Sequence, residues 1–452
     1  MGTHRSYLGC DMTYRTPAKA AFPILCIVLV LAVPRISRAQ QKMSRSDLDE
    51  VQGMMRDARD AVRKNYYDPK FHGIDLDARY RQYQDRVKVA PNLNEGMRMV
   101  AAFLSGLNDS HTFFIPPGRP YKWDYGFRIQ LFGNTGYISR VRPQTDAFTK
   151  LHPGDQVLAF DTYSVNRTDY QPLWYAFNDL IPQPKVQLDV RDPDGATRRV
   201  LVDTNFRREQ RVLDFTGGDD YWKYVREMED SDQLVRQREA EMDGIMIWKM
   251  PEFDLDDEQV DHMFDIARKN KTLILDLRGN PGGRGDTLSR MIGDVMDHDV
   301  TIGNRVGRKK LKPFEAKSAG GRVFTGKIIV LVDSGSASAA ELFARVMQLE
   351  HRGTVLGDLT SGSVMEARLY PCQQGTDTVI IYGFSVTEAD LIMKDGKSLE
   401  HVGVTPDEVM IPAPQDLAAG RDPVLASAVA MAGGKLDPDA AGKLFPFEWA
   451  PF

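Results

Sequence analysis

One segment of this 452-residue chain combines a strand, a tight turn and a helix in close succession. Residues 327–332 form an apolar run of strand type. The turn after it is built from small residues and contains Ser336 and Ser338. The helix that follows carries four apolar residues on one face: Leu342, Phe343, Val346 and Met347. A serine at such a turn lies beside the N–H groups of a helix N-terminus, so it is either a displayed nucleophile or an ordinary N-cap.

A second apolar strand begins at Thr272 and runs into a turn that ends at Gly282 and Gly283. Glycines in a turn of this kind allow a backbone N–H to approach a reacting carbonyl closely. Two neighbouring strands of this type place one N–H from each turn on the same oxyanion. In isolation the segment also fits a plain turn before a helix.

Histidine is the usual general base for a serine nucleophile, because its pKa lies near neutrality. His111 stands in a polar stretch after an apolar helix predicted over residues 97–107. A lone histidine has either a structural or a catalytic role, and its position alone leaves both open.

Together these motifs resemble those of the C-terminal processing peptidases, also called tail-specific proteases. The resemblance rests on LILDLRGNPGG and GSASAAELFARVMQ, and it extends from residue 47 to residue 412. It implies that Ser338 is the nucleophile, with Ser336 as the competing assignment. It also implies an oxyanion hole formed by the N–H of Gly282 or Gly283 and the N–H of Ala339.

The lysine base of many family members is absent, since Ser363 occupies its position. The DSH sequence at residues 109–111 and the late segment 398–407 resemble instead a tricorn-like branch that uses histidine and glutamate. Resemblance to this branch implies three roles: His111 as the base, Glu400 as the carboxylate that orients it, and Ser110 as a group that helps to polarise the oxyanion. His401, where the family usually has glycine, is the competing base.

The predicted fold is α/β. Strands and helices alternate over residues 246–412, which implies parallel strands with covered faces. By resemblance this part is a ClpP/crotonase-like peptidase core, extending over residues 246–432 and followed by a tail at 433–452. An N-terminal helical region is predicted over residues 44–118. One apolar face marks its first helix: Leu48, Val51, Met54, Met55, Ala58 and Val62.

Residues 119–205 resemble an inserted PDZ domain. Its strands are predicted at residues 127–131, 136–141, 156–160 and 186–190. PDZ modules add an extended peptide to a sheet edge and capture its terminal carboxylate with backbone N–H groups. The resemblance implies that Tyr125, Gly126 and Phe127 bind substrate C-termini; the alternative is a β domain that only spaces the other parts. Residues 206–245 are strongly charged and predict a linker or an exposed helix.

Residues 1–39 have the pattern of a secretory signal: a basic start, a short apolar stretch and small residues before the expected cleavage site. We therefore expect an exported protein, periplasmic or secreted. Membrane proximity is expected only if the signal is an uncleaved anchor. Cleavage leaves Cys372 as the single cysteine, which excludes an internal disulfide.

The remaining composition excludes several classes of protein. A net charge of -5 gives no basic excess for nucleic-acid binding. The eight histidines show no metal-binding spacing, so we expect neither a metal nor an organic cofactor.

The sequence predicts a serine endopeptidase that acts on unfolded or C-terminally exposed polypeptides through an acyl-enzyme on Ser338. The alternatives are a non-catalytic ligand binder of the same fold and a peptide-binding scaffold. The oligomeric state is left open.

Overall fold

The computed structural model describes residues 43–208, 232–375 and 379–452. The predicted signal at residues 1–39 lies outside this part, as does much of the predicted charged segment. Within the described ranges, no helix combines the length and the apolar character needed to cross a membrane.

The N-terminal region is helical, as predicted, because apolar residues recur at helical spacing and a polar side chain caps the start of each helix. Its helices are α1 (Arg45–Asn65), α2 (Leu76–Lys88) and α3 (Leu93–Ser105), with a short 3-10 turn at Phe71–Gly73. Ser44, Asp75 and Asn92 each accept a hydrogen bond from an N–H of the first turn. The predicted apolar face of α1 is buried, except that Leu48 is half-buried.

A short strand and an antiparallel β module follow. The strands are β1 (Phe113–Ile115), β2 (Tyr121–Asp124), β3 (Phe127–Phe132), β4 (Thr135–Val141), β5 (Gln156–Phe160), β6 (Tyr163–Ser164), β7 (Lys185–Arg191), β8 (Thr197–Asp203) and β9 (Asn205–Arg208). The helices are α4 (Asp146–Lys150) and α5 (Tyr170–Tyr175), and a π turn at Ala176–Leu180 continues α5. The term β module refers below to residues 121–208. Its main sheet has the order β3-β4-β5-β7-β8, so β3 lies at an edge. All four strands predicted here are present.

The remaining chain forms a mixed α/β unit. Its strands are β10 (Arg238–Met242), β11 (Ile245–Lys249), β12 (Thr272–Asp276), β13 (Val300–Gly307), β14 (Phe314–Ala316), β15 (Lys327–Val332), β16 (Thr354–Gly357), β17 (Met365–Gln374), β18 (Ile380–Ile392) and β19 (Glu408–Val409). Its helices are α6 (Asp257–Ala267), α7 (Gly285–Val295), α8 (Ala339–Leu349), α9 (Pro414–Ala419), α10 (Pro423–Met431) and α11 (Pro438–Leu444), with a 3-10 turn at Gly320–Arg322.

The central sheet of this unit has the order β10-β11-β12-β15-β16-β19. All neighbours pair in parallel except β10 and β11, so the predicted parallel pairing is present. Strands β12 and β15 are adjacent, and the glycine turn and the serine turn that follow them therefore meet at one edge of the sheet. A second sheet has the order β1-β18-β13-β14, with β17 paired to β18.

Two predicted segments differ in the structure. The end of the predicted charged segment 206–245 is the edge strand β10, whose charged residues fit because every second side chain faces outward. The predicted tail at 433–452 contains helix α11 and then runs along the β module. There Arg142 Nη1 donates to the carbonyl of Ala450 at 2.8 Å, and Ala450 N donates to the carbonyl of Asp232 at 2.9 Å.

Candidate active site

Ser338 stands in the turn between β15 and α8. Its backbone has φ 52° and ψ −116°, a conformation that residues other than glycine rarely adopt. Its N–H is held by two acceptors, the carbonyl of Ser363 at 2.9 Å and Oε2 of Glu341 at 3.0 Å. Because such a strained backbone persists only where the surroundings impose it, the turn has the character of a nucleophile turn.

Ser336, the competing nucleophile, has a different environment. It is fully buried. Its hydroxyl donates to the carbonyl of Leu277 at 2.8 Å and accepts from the N–H of Asp333 at 3.0 Å. A hydroxyl committed in this way ties two turns together, so the geometry favours Ser338 as the nucleophile.

The two glycines considered for the oxyanion hole are not equivalent. Gly282 N donates to Oδ1 of Asn280 at 2.8 Å, so this donor is occupied. Gly283 is exposed, and within the described ranges its N–H has no hydrogen-bond acceptor, nor does the N–H of Ala339. The geometry therefore favours Gly283 and Ala339 as the donors.

Gly282 has a steric role instead. A Cβ atom placed on it would lie 2.6 Å from Cβ of Ser338 and 3.0 Å from N of Ala339. Its φ of 102° is also one that favours glycine. Glycine at this position lets the two turns approach each other closely.

His111 contacts Ser110, and Ser110 contacts Glu400. Oγ of Ser110 lies 2.7 Å from Nδ1 of His111 and donates to Oε2 of Glu400 at 2.8 Å. The N–H of Ser110 donates to Oε1 of the same carboxylate at 2.7 Å. With the hydroxyl proton directed at Glu400, Nδ1 carries the imidazole proton and Nε2 is left as the proton acceptor.

This arrangement differs from the predicted roles. The resemblance implies that Glu400 orients His111; in the structure Ser110 lies between the two. Ser110 was expected to act on the oxyanion, but its hydroxyl is taken up by His111 and Glu400. Sequence spacing could not show this, because residues 110 and 400 meet only in the fold.

A third residue of the DSH sequence holds the loop in place. Oδ1 of Asp109 accepts from the N–H groups of His111 at 3.0 Å and Thr112 at 2.7 Å, and from the hydroxyl of Thr387 at 2.7 Å. Immediately afterwards β1 pairs with β18, with Phe113 opposite Ser385. The histidine is therefore fixed to the second sheet rather than carried on a loose loop.

The surroundings of the imidazole favour its neutral form. Removal of water lowers the pKa of His111 below its usual value, and the carboxylates of Glu400 and Asp109 act in the opposite direction. His401, the competing base, is half exposed, and its Nε2 lies 2.9 Å from the carbonyl oxygen of Asn108. His111 is the better placed base because it is the one connected through Ser110.

One peptide unit joins the two halves of the site. The carbonyl of Ser363 accepts from the N–H of Ser338, and the N–H of Val364 donates to Oε2 of Glu400 at 2.9 Å. No hydrogen bond connects Ser338 with His111 among the described residues. Ser338 and His111 are thus brought into one neighbourhood without a hydrogen bond between them.

Glu341 is a residue of the site to which sequence analysis assigned no role. Its buried carboxylate accepts four hydrogen bonds, from the N–H groups of Ser338, Gly362 and Ser363 and from the hydroxyl of Thr360. Burial raises the pKa of Glu341 to about 7, against the effect of these bonds. A signal for it exists in the sequence, since serine followed by glutamate three residues later is a capping-box pattern.

Charged side chains stabilise the end of β12, where the glycine turn begins. Arg278 donates two hydrogen bonds to Asp276 and two to Asp422, which ties the end of β12 to helix α10. The Arg278 and Lys249 cations hold the pKa of buried Asp276 well below its usual range despite its burial. In the part of the chain that the structure describes, no group of His, Cys, Asp and Glu side chains could hold a metal ion.

The β module contacts the segments on both sides of Ser338. Nε2 of Gln130 donates to Oδ2 of Asp333 at 2.7 Å. Arg167 donates to Oδ2 of Asp358 and to the carbonyl of Leu359, both at 2.9 Å. The module therefore rests on the turn before Ser338 and on the loop that leads to Ser363.

The predicted substrate loop of the module is not open. Gly126 N donates to Oδ1 of Asp124 at 2.7 Å, so the free donor predicted at Gly126 is absent. Tyr125 and Phe127 are buried in the core of the module, and the Tyr125 hydroxyl donates to the carbonyl of Phe177 at 2.7 Å. The Gly126 N–H is occupied for a local reason, because an aspartate side chain readily accepts a hydrogen bond from the backbone N–H two residues further along the chain.

Comparison with known proteins gives two family matches. Residues 245–410 match Peptidase family S41, and residues 47–95 match the Tricorn protease C1 domain. A carboxyl-terminal-processing protease of Synechocystis sp. is 32% identical over 141 residues, which are 30% of this chain and 30% of that protein. A putative tricorn protease homolog 2 of Streptomyces coelicolor is 23% identical over 407 residues, 82% of this chain and 31% of that protein. The chain thus spans about three tenths of the length of these relatives.

Among solved structures, mature CPAF complexed with lactacystin matches with a TM-score of 0.60 and 15% identity, covering 82% of this chain and 96% of that one. At this identity the likeness concerns the fold. The predicted mixed α/β fold is confirmed, and the match to family S41 confirms that the chain contains a serine-type peptidase domain. The roles of the individual residues stay predictions.

Proposed function

We propose that this chain, whose residues 245–410 match Peptidase family S41, is a serine endopeptidase that cleaves unfolded or C-terminally exposed polypeptides. The observation that carries the proposal is the connected series Glu400, Ser110 and His111 beside the strained turn of Ser338. A serine, a neutral imidazole and a buried carboxylate are the groups that acyl transfer requires.

In the first step Ser338 Oγ attacks the scissile carbonyl and His111 Nε2 takes its proton. The Ser338–His111 hydrogen bond forms when substrate is bound, since such bonds often tighten only in the substrate complex. The proton on Nδ1 is held by Ser110 Oγ, and Glu400 stabilises the positive imidazolium through that hydroxyl. His111 then protonates the leaving amine.

The tetrahedral oxyanion is held by the N–H groups of Gly283 and Ala339. One such donor contributes roughly 3 kcal/mol to transition-state stabilisation in serine peptidases. Water then attacks the ester on Ser338, with His111 again acting as the base, and the carboxylic acid product leaves.

The competing proposal is a non-catalytic ligand binder of the same fold. It is favoured by one observation, the missing hydrogen bond between Ser338 and His111. The strained backbone of Ser338 argues against it, because a binding protein has no need to maintain such a conformation at this serine. The signal pattern of residues 1–39 supports export as part of the proposal.

A covalent probe distinguishes the two proposals. The purified chain is treated with a fluorophosphonate and digested, and the modified peptide is located by mass spectrometry. Labelling at Ser338, together with fragments from an unfolded protein substrate, is the expected result. The Ser338→Ala variant is the control and must show neither. Absence of labelling and of cleavage in a folded protein would leave the binder as the better proposal.

A further inference from the structure

The loop predicted to capture the terminal carboxylate of a substrate already contains a carboxylate of the chain itself. Asp124 accepts the N–H of Gly126 and forms an ion pair with Arg142. The Asp124 side chain is 5% exposed and that of Arg142 is 12% exposed. A terminal carboxylate is recognised by backbone N–H groups and a cation, and here one of each is occupied from within.

The remaining atoms of the Arg142 guanidinium are also engaged. Nη1 donates to the carbonyl of Ala450 at 2.8 Å and Nη2 to the carbonyl of Asp232 at 3.2 Å. The group also lies over the ring of Trp449, 4.4 Å from its centroid. Arg128, the other cation beside the loop, pairs with Oδ1 of Asp232 at 3.1 Å.

At the edge of the sheet, too, groups of the chain itself occupy the place where a peptide would bind. Between edge strand β3 and helix α5 lies a small cavity of about 60 Å³ that is lined by Asp124, Ile129, Trp174 and Asp232, among other residues. The hydroxyl of Tyr170 donates to the carbonyl of Ile129 at 2.9 Å, which takes up an acceptor of the edge strand. A second carboxylate entering this cavity would meet the negative charges of Asp124 and Asp232.

We infer that Asp124 is a specificity-determining residue: it occupies the place of a substrate's terminal carboxylate, so this peptidase accepts internal segments of unfolded polypeptides regardless of a free C-terminus. This inference rests on the proposed function, because it names the substrate class of the same enzyme. It replaces the predicted capture of C-termini at Tyr125, Gly126 and Phe127.

Removal of the Asp124 side chain should give the protein a new preference for peptides with a free terminal carboxylate. Loss of Asp124 leaves the Gly126 N–H without its acceptor and the buried Arg142 without a carboxylate partner. A buried cation that loses its partner is strongly unfavourable. An external carboxylate restores both interactions, so the variant acquires a preference that the original chain lacks.

The experiment measures binding in the full chain carrying Ser338→Ala, so that it does not depend on catalysis. The probe is one N-acetylated peptide of uncharged residues, prepared as the free acid and as the C-terminal amide. With Asp124 present we expect the free acid and the amide to bind with equal affinity. With Asp124→Ala we expect the acid to bind about tenfold more tightly or better, since a charge-assisted hydrogen bond is worth about that factor. Adding Tyr170→Phe, which releases the carbonyl of Ile129, should strengthen the binding further.

The matched control is Asp189→Ala, which removes an aspartate of the same module from its ion pair with Arg199 and should create no acid preference. Asp124→Asn is the second variant, which keeps the side-chain shape and releases Arg142 from its ion pair. Circular dichroism verifies the fold of each protein. A preference for the acid while Asp124 is present would overturn the inference. Equal affinity for acid and amide in every folded Asp124 variant would also overturn it. Fluorophosphonate labelling of the original chain tests the proposed peptidase separately.

Discussion

Nδ1 of His111 lies 2.7 Å from the hydroxyl of Ser110, so the imidazole meets a serine where a triad presents its carboxylate. The carboxylate of Glu400 follows one step further, on the other side of that hydroxyl. Orientation of the imidazole and stabilisation of its charge therefore depend on two bonds in series. In the proposed mechanism Ser110 is a positioning residue, because it acts through His111 and does not contact the reacting atoms.

The first prediction concerns this connection. Ser110→Ala should lower kcat by roughly a hundredfold or more, within the range expected for impaired general base catalysis, because nothing then holds the Nδ1 proton. KM for a short ester should change little. Steady-state kinetics of the ester measures both. Ser105→Ala is the matched control, since the Ser105 hydroxyl donates to the carbonyl of Ala102 on the exposed surface of α3. Unchanged kcat in Ser110→Ala would remove Ser110 from the catalytic arrangement.

The second prediction separates the two serines of the nucleophile turn. Ser338→Ala should abolish cleavage of an unfolded protein and keep the thermal unfolding temperature close to the original. Ser336→Ala should reduce stability by about 1–3 kcal/mol, because the buried N–H of Asp333 loses its acceptor. It should nevertheless retain fluorophosphonate labelling. An active Ser338→Ala enzyme combined with an inactive, folded Ser336→Ala enzyme would transfer the nucleophile to Ser336.

The third prediction identifies the base. His111→Ala should lose nearly all turnover, because His111 is the base that the Ser110 hydroxyl connects to Glu400. Lys394→Ala and Lys397→Ala should keep full turnover. Lys394 pairs with Glu350 at the surface. Cleavage of a fluorescent ester by the folded variants measures this. Dependence on either lysine, with a dispensable His111, would contradict the assignment.

The fourth prediction uses the pH dependence of kcat/KM. Activity requires neutral His111, whose pKa is lowered, and ionised Glu341, whose pKa is about 7. The group with the higher pKa determines the acid limb, so activity should rise with pH through about 7, where Glu341 loses its proton and accepts the Ser338 N–H most strongly.

The corresponding variant is Glu341→Gln, which keeps the shape and removes the ionisation. Its acid limb should move to lower pH, towards the pKa of His111, while kcat falls by about tenfold because the amide is a weaker acceptor. A pH profile of the variant with an ester substrate measures both effects. A loss of kcat with an unmoved acid limb would show that Glu341 is structural and that another group titrates.

Several elements of this protein could be predicted from the sequence with good bounds. Strands β3, β4, β5 and β7 agree with the predicted ones to within a residue at each end. The strand, turn and helix around Ser338 are also as predicted. These features follow from the spacing of apolar residues and from small residues in turns, which act over a few positions along the chain.

Other features required the tertiary structure. The hydroxyl of Ser110 and the carboxylate of Glu400 are 290 residues apart in sequence, and no local pattern states that they meet. The occupation of the Gly126 N–H by Asp124 depends on one side-chain orientation inside a turn. The choice between Gly282 and Gly283 depends on which N–H the buried Asn280 accepts.

The sequence by itself therefore determined the alternation of strands and helices, the turn that displays Ser338 and the residue types available for catalysis. The tertiary structure decided which polar groups are already paired with one another. The physical reason is that periodicity reports burial along one element. A hydrogen bond requires its donor and acceptor to lie about 3 Å apart, to within a few tenths of an ångström, and only the packed fold sets such distances between elements.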